Sequence, residues 1–120
     1  MQRISDSELE VMKILWELDK ATSSQIVEIL IEKTDWSQKT IQTLITRLVS
    51  KEAISVDKTN KRMYIYTSNI KEDQYKSYIN KSLLKKLYNS SVSLMISSFI
   101  KDNKLSKDDI KELKDLLDKE

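Results

Sequence analysis

The chain has 120 residues, 39% of them hydrophobic and 33% charged, with a formal net charge of +2, a composition suited to one soluble, helix-rich domain or a small domain with an appendage. It contains no Cys, His or Gly, which excludes disulfides, thiol and imidazole catalysis, zinc sites of the usual ligand types, P-loops and dinucleotide fingerprints. The small net charge is unevenly spread: four bases against eight acids in residues 1–35, six against two in 36–70, and eleven against nine in 71–120.

In chain order, Ser5 with Glu8 forms a capping box ahead of an apolar stripe of Leu9, Met12, Leu15 and Trp16. Val11, Ile14 and Leu18 widen the stripe and leave Glu10, Lys13 and Glu17 as a narrow wet edge, so this first helix belongs in the middle of a core. Residues 21–24 read as a connector, and Thr22 with Gln25 makes a second capping box for a short helix ending near Lys33. Thr34 and Asp35 turn the chain, and Trp36 staples the start of a third helix capped by Ser37.

The third helix has one apolar stripe, Ile41, Leu44, Ile45 and Leu48, spaced i, i+3, i+4 and i+7. Lys39, Thr43, Thr46 and Ser50 lie opposite it, flanked by Thr40 and Arg47 on one side and Gln42 on the other. No acid occurs between Trp36 and Lys51. Ordinary solvated helices mix Glu with Lys, whereas this outer face carries donors of the kind that reach phosphates and base edges. The alternative is a structural helix that happens to be basic outside. A short helix, a brief turn and a basic helix together make the pattern of a helix-turn-helix.

After Lys51 the period shortens. Ile54, Val56 and Lys58 alternate with Ser55 and Asp57, and residues 63–67 are rich in β-formers. Between them lies the polar, basic tip Lys58-Thr59-Asn60-Lys61-Arg62, with Asn60 expected to take a positive φ in the absence of Gly. Three helices followed by a basic hairpin predict a winged helix-turn-helix: mainly α with a small β-hairpin, the third helix reading the major groove. Lys39 and Thr43 are expected at or near bases, with Arg47, Lys58, Lys61 and Arg62 mainly on phosphates.

Residues 71–120 read as three further helices. Tyr75, Tyr78, Ile79, Leu83 and Leu87 share one face of the first, and Val92, Met95, Ile96, Phe99 and Ile100 one face of the second. Ile110, Leu113, Leu116 and Leu117 do the same in the third, which Ser106 and Asp109 cap. Asn89 and Asn103 are expected to replace Gly at helix ends. The acid pairs Glu72-Asp73 and Asp108-Asp109 sit at helix starts, where they complement the dipole. Fifty residues in three thin helices hide too little surface alone, so a second copy is expected to cover them; folding back onto the first domain is the alternative. The expected division is a DNA-binding domain at 1–70 and a three-helix dimerisation domain at 71–120.

The string WSQKTIQTLITRL, with ELEVMKILW before it and LSKDDIKELKDLL near the end, resembles the BlaI/MecI family of penicillinase and methicillin-resistance repressors over essentially the whole chain. The resemblance implies a homodimeric winged-helix repressor of palindromic operator DNA in β-lactam-resistance genes, released when a membrane sensor-transducer pathway triggers its proteolysis. It carries the family's recognition-helix contacts onto Lys39, Thr40, Gln42 and Thr43, with Ser37 completing the expected DNA-binding set. Gln42 stands where members often have Arg, exchanging a phosphate or guanine contact for one suited to adenine. The family's cleaved bond falls on Ser98-Phe99, with Ser in place of the usual Asn. The cysteine-rich tail of copper-responsive relatives is absent. No catalytic residue, cofactor or metal is expected. With no signal pattern at the start and no run long enough to span a bilayer, the cytoplasm is the expected compartment. The reading kept from another class is a winged-helix protein-interaction module whose basic helix meets an acidic protein partner.

Overall fold

The computed structural model describes residues 3–119, apart from the side chain of Leu117. Its elements run α1 (Asp6–Leu18), β1 (Lys20–Thr22), α2 (Ser23–Lys33), α3 (Gln38–Ser50), β2 (Ile54–Asp57), β3 (Ile65–Ser68), α4 (Glu72–Tyr88), α5 (Val92–Lys101) and α6 (Lys107–Lys119). They fall into two compact units, residues 1–75 and 76–120.

In the first unit both capping boxes form. The Ser5 hydroxyl accepts from the Glu8 backbone N–H at 3.1 Å while Glu8 Oε1 accepts from the Ser5 N–H at 2.8 Å. Thr22 and Gln25 make the same exchange at 3.2 and 2.8 Å. These bonds satisfy orphan donors at the helix starts and fix where each helix begins. The turn between α2 and α3 closes without Gly because Thr34 supplies the bonds. Its N–H and hydroxyl both donate to the Leu30 carbonyl, at 2.9 and 2.7 Å, and its hydroxyl accepts from the Trp36 N–H at 3.2 Å.

Met12, Leu15, Ile26, Leu30, Ile41 and Leu48 form the fully buried centre, drawn from all three helices. Burial of each such side chain contributes about 1.5–3 kcal/mol, so the stripe of α3 is firmly held and its opposite face is left outside.

The wing differs from the expected hairpin in two respects. Ala21 and Thr22, read as part of a connector over 21–24, belong with Lys20 to strand β1, and the sheet has three antiparallel strands in the order β1-β3-β2. Ala21 opposes Tyr66, and Val56 opposes Tyr66 from the other side. Asn60 does not take a positive φ. The tip is turned by two side chains instead: Asp57 Oδ1 accepts from the Thr59 N–H at 2.9 Å, and Asn60 Oδ1 from the Arg62 N–H at 3.0 Å. Such Asx turns mimic a backbone turn and remove the need for a left-handed residue. Left-handed backbone appears elsewhere, at Asp19, Glu52, Asn89, Ser90 and Asn103.

The first unit ends at Tyr75, which is buried with its ring 5.7 Å from that of Trp16. The Trp16 indole N–H donates to Ser68 Oγ at 3.2 Å and to the Ile70 carbonyl at 2.8 Å. Trp16 is thus half-buried rather than central, an aromatic wall with its polar edge satisfied. Tyr75 belongs to this packing, whereas Tyr78 and Ile79, on the same face of α4, are exposed.

In the second unit, Asn89 and Asn103 have φ of 49° and 55° at the ends of α4 and α5, the left-handed geometry that closes helices. Ser91 caps α5, accepting from the Leu94 N–H at 3.2 Å, and Ser106 with Asp109 caps α6. Among the described residues of this unit none is fully buried. Leu87 is 67% exposed, Val92 52% and Leu116 60%. Leu117, expected on the same α6 stripe, lies outside the described side chains. Among the described residues, no helix is long and apolar enough to cross a membrane.

Candidate nucleic-acid interface

Helix α3 starts at Ser37, whose hydroxyl accepts from the Thr40 N–H at 3.2 Å and lies 3.1 Å from the Thr40 hydroxyl. Ile41, Leu44, Ile45 and Leu48 point into the core, and Lys39, Thr40, Gln42, Thr43, Thr46 and Arg47 are all exposed. The outer face therefore follows directly from the stripe.

Its polar groups are not equivalent. Thr43 Oγ1 donates its proton to the Lys39 carbonyl at 3.0 Å, and Thr46 Oγ1 does the same to the Gln42 carbonyl at 3.0 Å. A threonine bonded in this way offers its methyl group and hydroxyl lone pairs outward, suited to a thymine methyl or an exocyclic amine and not to an acceptor. Lys39, Thr40, Thr43 and Arg47 line one shallow groove over Leu44. Gln42 lies apart from them, in a second groove with Gln38 and with Ser23, Ser24 and Glu28 from α2. The structure thus joins four of the expected contacts and sets Gln42 on the flank facing α2.

The wing carries Lys58, Lys61 and Arg62, all exposed. Ion pairs join Lys13 to Glu10 and Lys51 to Glu8; among the described residues Lys39, Arg47, Lys58, Lys61 and Arg62 form none. Cations left uncompensated on one helix and the following hairpin favour a polyanion. The hydroxyl and N–H of Thr59 hold the Asp57 carboxyl below its ordinary range, so the one acid at the base of the tip is ionised and already bonded.

Lys51, the last base of this stretch, is placed differently. Its Nζ lies 2.5 Å from Glu8 Oε1 and 2.8 Å from the Arg3 carbonyl, so it fastens the helix to the core and is not free for a ligand. Spacing along the sequence carries no sign of this pairing across 43 residues. Tyr64, whose ring lies under the Lys58 ammonium at 5.7 Å, is a further part of the wing surface for which the spacing gives no signal. Among the described residues, no group of three or more His, Cys, Asp or Glu is arranged to hold a metal ion.

A sequence profile described as Penicillinase repressor matches residues 4–119. The chain belongs to the penicillinase repressor family. It is 36% identical over 116 residues to the penicillinase repressor of Bacillus licheniformis, covering 97% of this chain and 90% of that one. Identity is 38% over 116 residues to the methicillin resistance regulatory protein MecI of Staphylococcus aureus (strain N315), with 97% and 94% covered. It is 40% over 114 residues to the penicillinase repressor of Staphylococcus aureus, with 95% and 90% covered. Among solved structures, the DNA binding domain of the repressor BlaI matches with a TM-score of 0.54 at 40% identity, over 62% of this chain and 94% of that one. The monomeric form of Bacillus licheniformis BlaI in complex with the blaP half-operator matches with a TM-score of 0.55 at 40% identity, over 62% and 89%. The family is one of repressors and not of enzymes, and its winged-helix fold is the one found here.

Proposed function

We propose that this chain is a transcriptional repressor that binds palindromic operator DNA as a homodimer and controls β-lactam-resistance genes from the cytoplasm. The observation that carries the DNA reading is the exposed face of α3 and the wing, with five cations unpaired among the described residues. The family's half-operator complex has the same domain. Ser37, Lys39, Thr40, Thr43 and Arg47 meet one stretch of major groove, with Lys39 and Thr43 at bases; Gln42 approaches from the α2 side. Lys58, Lys61 and Arg62 hold phosphates beside it. An acidic protein partner has no comparable support, because back-bonded threonines add nothing to recognition of carboxylates.

Homodimerisation is supported by the apolar residues of α4, α5 and α6 that the single chain leaves uncovered. In this reading residues 1–70 bind DNA and 71–120 dimerise, with the first turn of α4 up to Tyr75 packed on the first unit. A two-fold axis matches a palindrome, with half-sites about one helical turn or a small multiple apart.

Release by proteolysis at Ser98-Phe99, downstream of a membrane sensor-transducer, completes the proposal. The Ser98 carbonyl accepts from the Asp102 N–H at 3.1 Å and the Phe99 carbonyl from the Lys104 N–H at 2.9 Å. The bond is therefore inside a formed helix end and must open locally before a protease can take it as an extended strand. Phe99 is 36% exposed in the single chain; a partner covering it makes that opening rarer by linkage.

The test is fluorescence anisotropy with the promoter of the protein's own gene and with an unrelated duplex of equal length, over a salt series. Tighter binding to the promoter at every salt is expected. Equal binding to both overturns the repressor reading.

A further inference from the structure

Lys58 and Tyr64 stand just outside the paired strands of the wing. Asp57 opposes Ile65 as the last registered pair, so Lys58 and Tyr64 face each other one step further out, on the side that Val56 and Tyr66 occupy. Tyr66 packs against the core. This side of the sheet is therefore the core-facing one, continued beyond the core's edge by an ammonium above an aromatic ring, 5.7 Å from its centroid.

A lysine on an exposed tip loses rotamer freedom when it grips a phosphate, and that loss weakens the contact. A ring already holding the ammonium removes part of it. The neighbouring acid does not compete for Lys58, since Asp57 Oδ1 accepts from Thr59 and alternation puts Asp57 on the other side of the strand. The Tyr64 hydroxyl has no hydrogen-bond partner among the described residues, so the ring and not the phenol is what Lys58 uses.

We propose that Tyr64 is a positioning residue for DNA binding, preorganising Lys58 for its phosphate through the face of its ring. The inference rests on the DNA-binding function proposed above and adds to it a residue that touches the cation and not the nucleic acid. Because a phosphate contact is independent of sequence, a labelled duplex of mixed sequence about three helical turns long is a sufficient probe.

The experiment is a double-mutant cycle by fluorescence anisotropy across a salt series, using the full chain. Its members are wild type, Y64F, Y64L, K58M and the Y64L/K58M pair, with thermal melts to establish that each is folded. K58M should flatten the salt slope by about one unit. Y64F, which keeps a ring face, should bind within about twofold of wild type, whereas Y64L should bind about two- to fivefold more weakly. In the K58M background Y64L should add no further loss. An equal loss from Y64L in both backgrounds overturns the positioning role, because Tyr64 then acts through the DNA or the fold. An unchanged salt slope for K58M, in a wild type that binds, overturns it too. Failure of wild type to bind any duplex removes the DNA-binding function itself, a different result from either.

Discussion

Lys51 Nζ lies 2.5 Å from Glu8 Oε1, joining the C-cap of the candidate reading helix to the first turn of α1. Glu8 is only 1% exposed, and its second oxygen, Oε2, has no partner among the described residues. A charge in that position is tolerable only while the lysine is there. Replacing Lys51 with Met should destabilise the chain by about 3 kcal/mol, the lower end of the range for breaking a buried pair, because Lys51 retains some contact with solvent. Urea unfolding followed by circular dichroism measures it. A loss below about 1 kcal/mol would place the pair with ordinary surface salt bridges.

The same pair makes stability depend on pH. Burial raises the Glu8 pKa, but hydrogen bonds from Lys51 and from Ser5 outweigh it and leave the carboxyl below its ordinary value of 4.5. A depressed carboxylate contributes stability that is complete above the unfolded value and lost as pH falls through the folded one. The urea midpoint should therefore drop as pH is taken below 4.5, and more steeply for wild type than for Glu8→Gln. Parallel acid profiles for the two proteins would show that the loss arises elsewhere.

Glu52 has φ of 60° between α3 and β2, and its carbonyl accepts from Asn69 Nδ2 at 2.9 Å. Left-handed backbone costs a residue with a Cβ about 1–2 kcal/mol, offset for Gly by its greater loss of chain freedom on folding. Glu52→Gly should stabilise by about 0.5 kcal/mol and Glu52→Ile destabilise by about 1 kcal/mol. Thermal melts of the two variants beside wild type decide it, and the same order of stability in reverse would be fatal to this account.

Thr43 and Arg47 share a groove but should fail differently. Thr43→Val keeps the outward methyl and removes the hydroxyl lone pairs. It should alter preference at one base pair, by about 1–3 kcal/mol, as read by binding to a set of single-substituted operator duplexes. Arg47→Gln should weaken every duplex alike and flatten the salt slope by about one unit. A uniform loss for Thr43→Val would remove it from the base-reading set.

Phe99→Glu places a charge on the uncovered face of α5 and should shift the chain from dimer to monomer in sedimentation equilibrium at micromolar concentration. The three-strand wing should still be seen by NMR, since the first unit has its own core. A wild type that sediments as a monomer refutes the dimer at once.

What could be read from the sequence was whatever is encoded locally. The capping boxes at Ser5 and Thr22, the stripe of α3 and the basic tip each lie within a few residues, and the structure has them in place. The features missed depend on distant partners. Lys20, Ala21 and Thr22 have no strand pattern of their own and become β1 only by pairing with residues 65–67. Lys51 ends the acid-free stretch in the sequence, and its tie to Glu8, 43 residues away, leaves no local sign. Gln42 is legible on the flank opposite Thr40 and Arg47; only that this flank faces α2 depends on a distant element. Asn60 was expected to bend its own backbone and instead bends the tip with its side chain, an outcome that period and propensity do not distinguish.

The two tryptophans occupy places that make the chain its own spectroscope. Trp36 is half-buried one residue before the cap of α3, and Trp16 has its indole N–H bonded beside Tyr75 at the end of the first unit. With only these two indoles in 120 residues, replacing either by Phe leaves emission from a single known address. The Trp36 signal then reports on the start of α3 and the Trp16 signal on the first turn of α4. A titration with DNA can thus be followed at α3, and unfolding of the first unit at Trp16, in unlabelled protein.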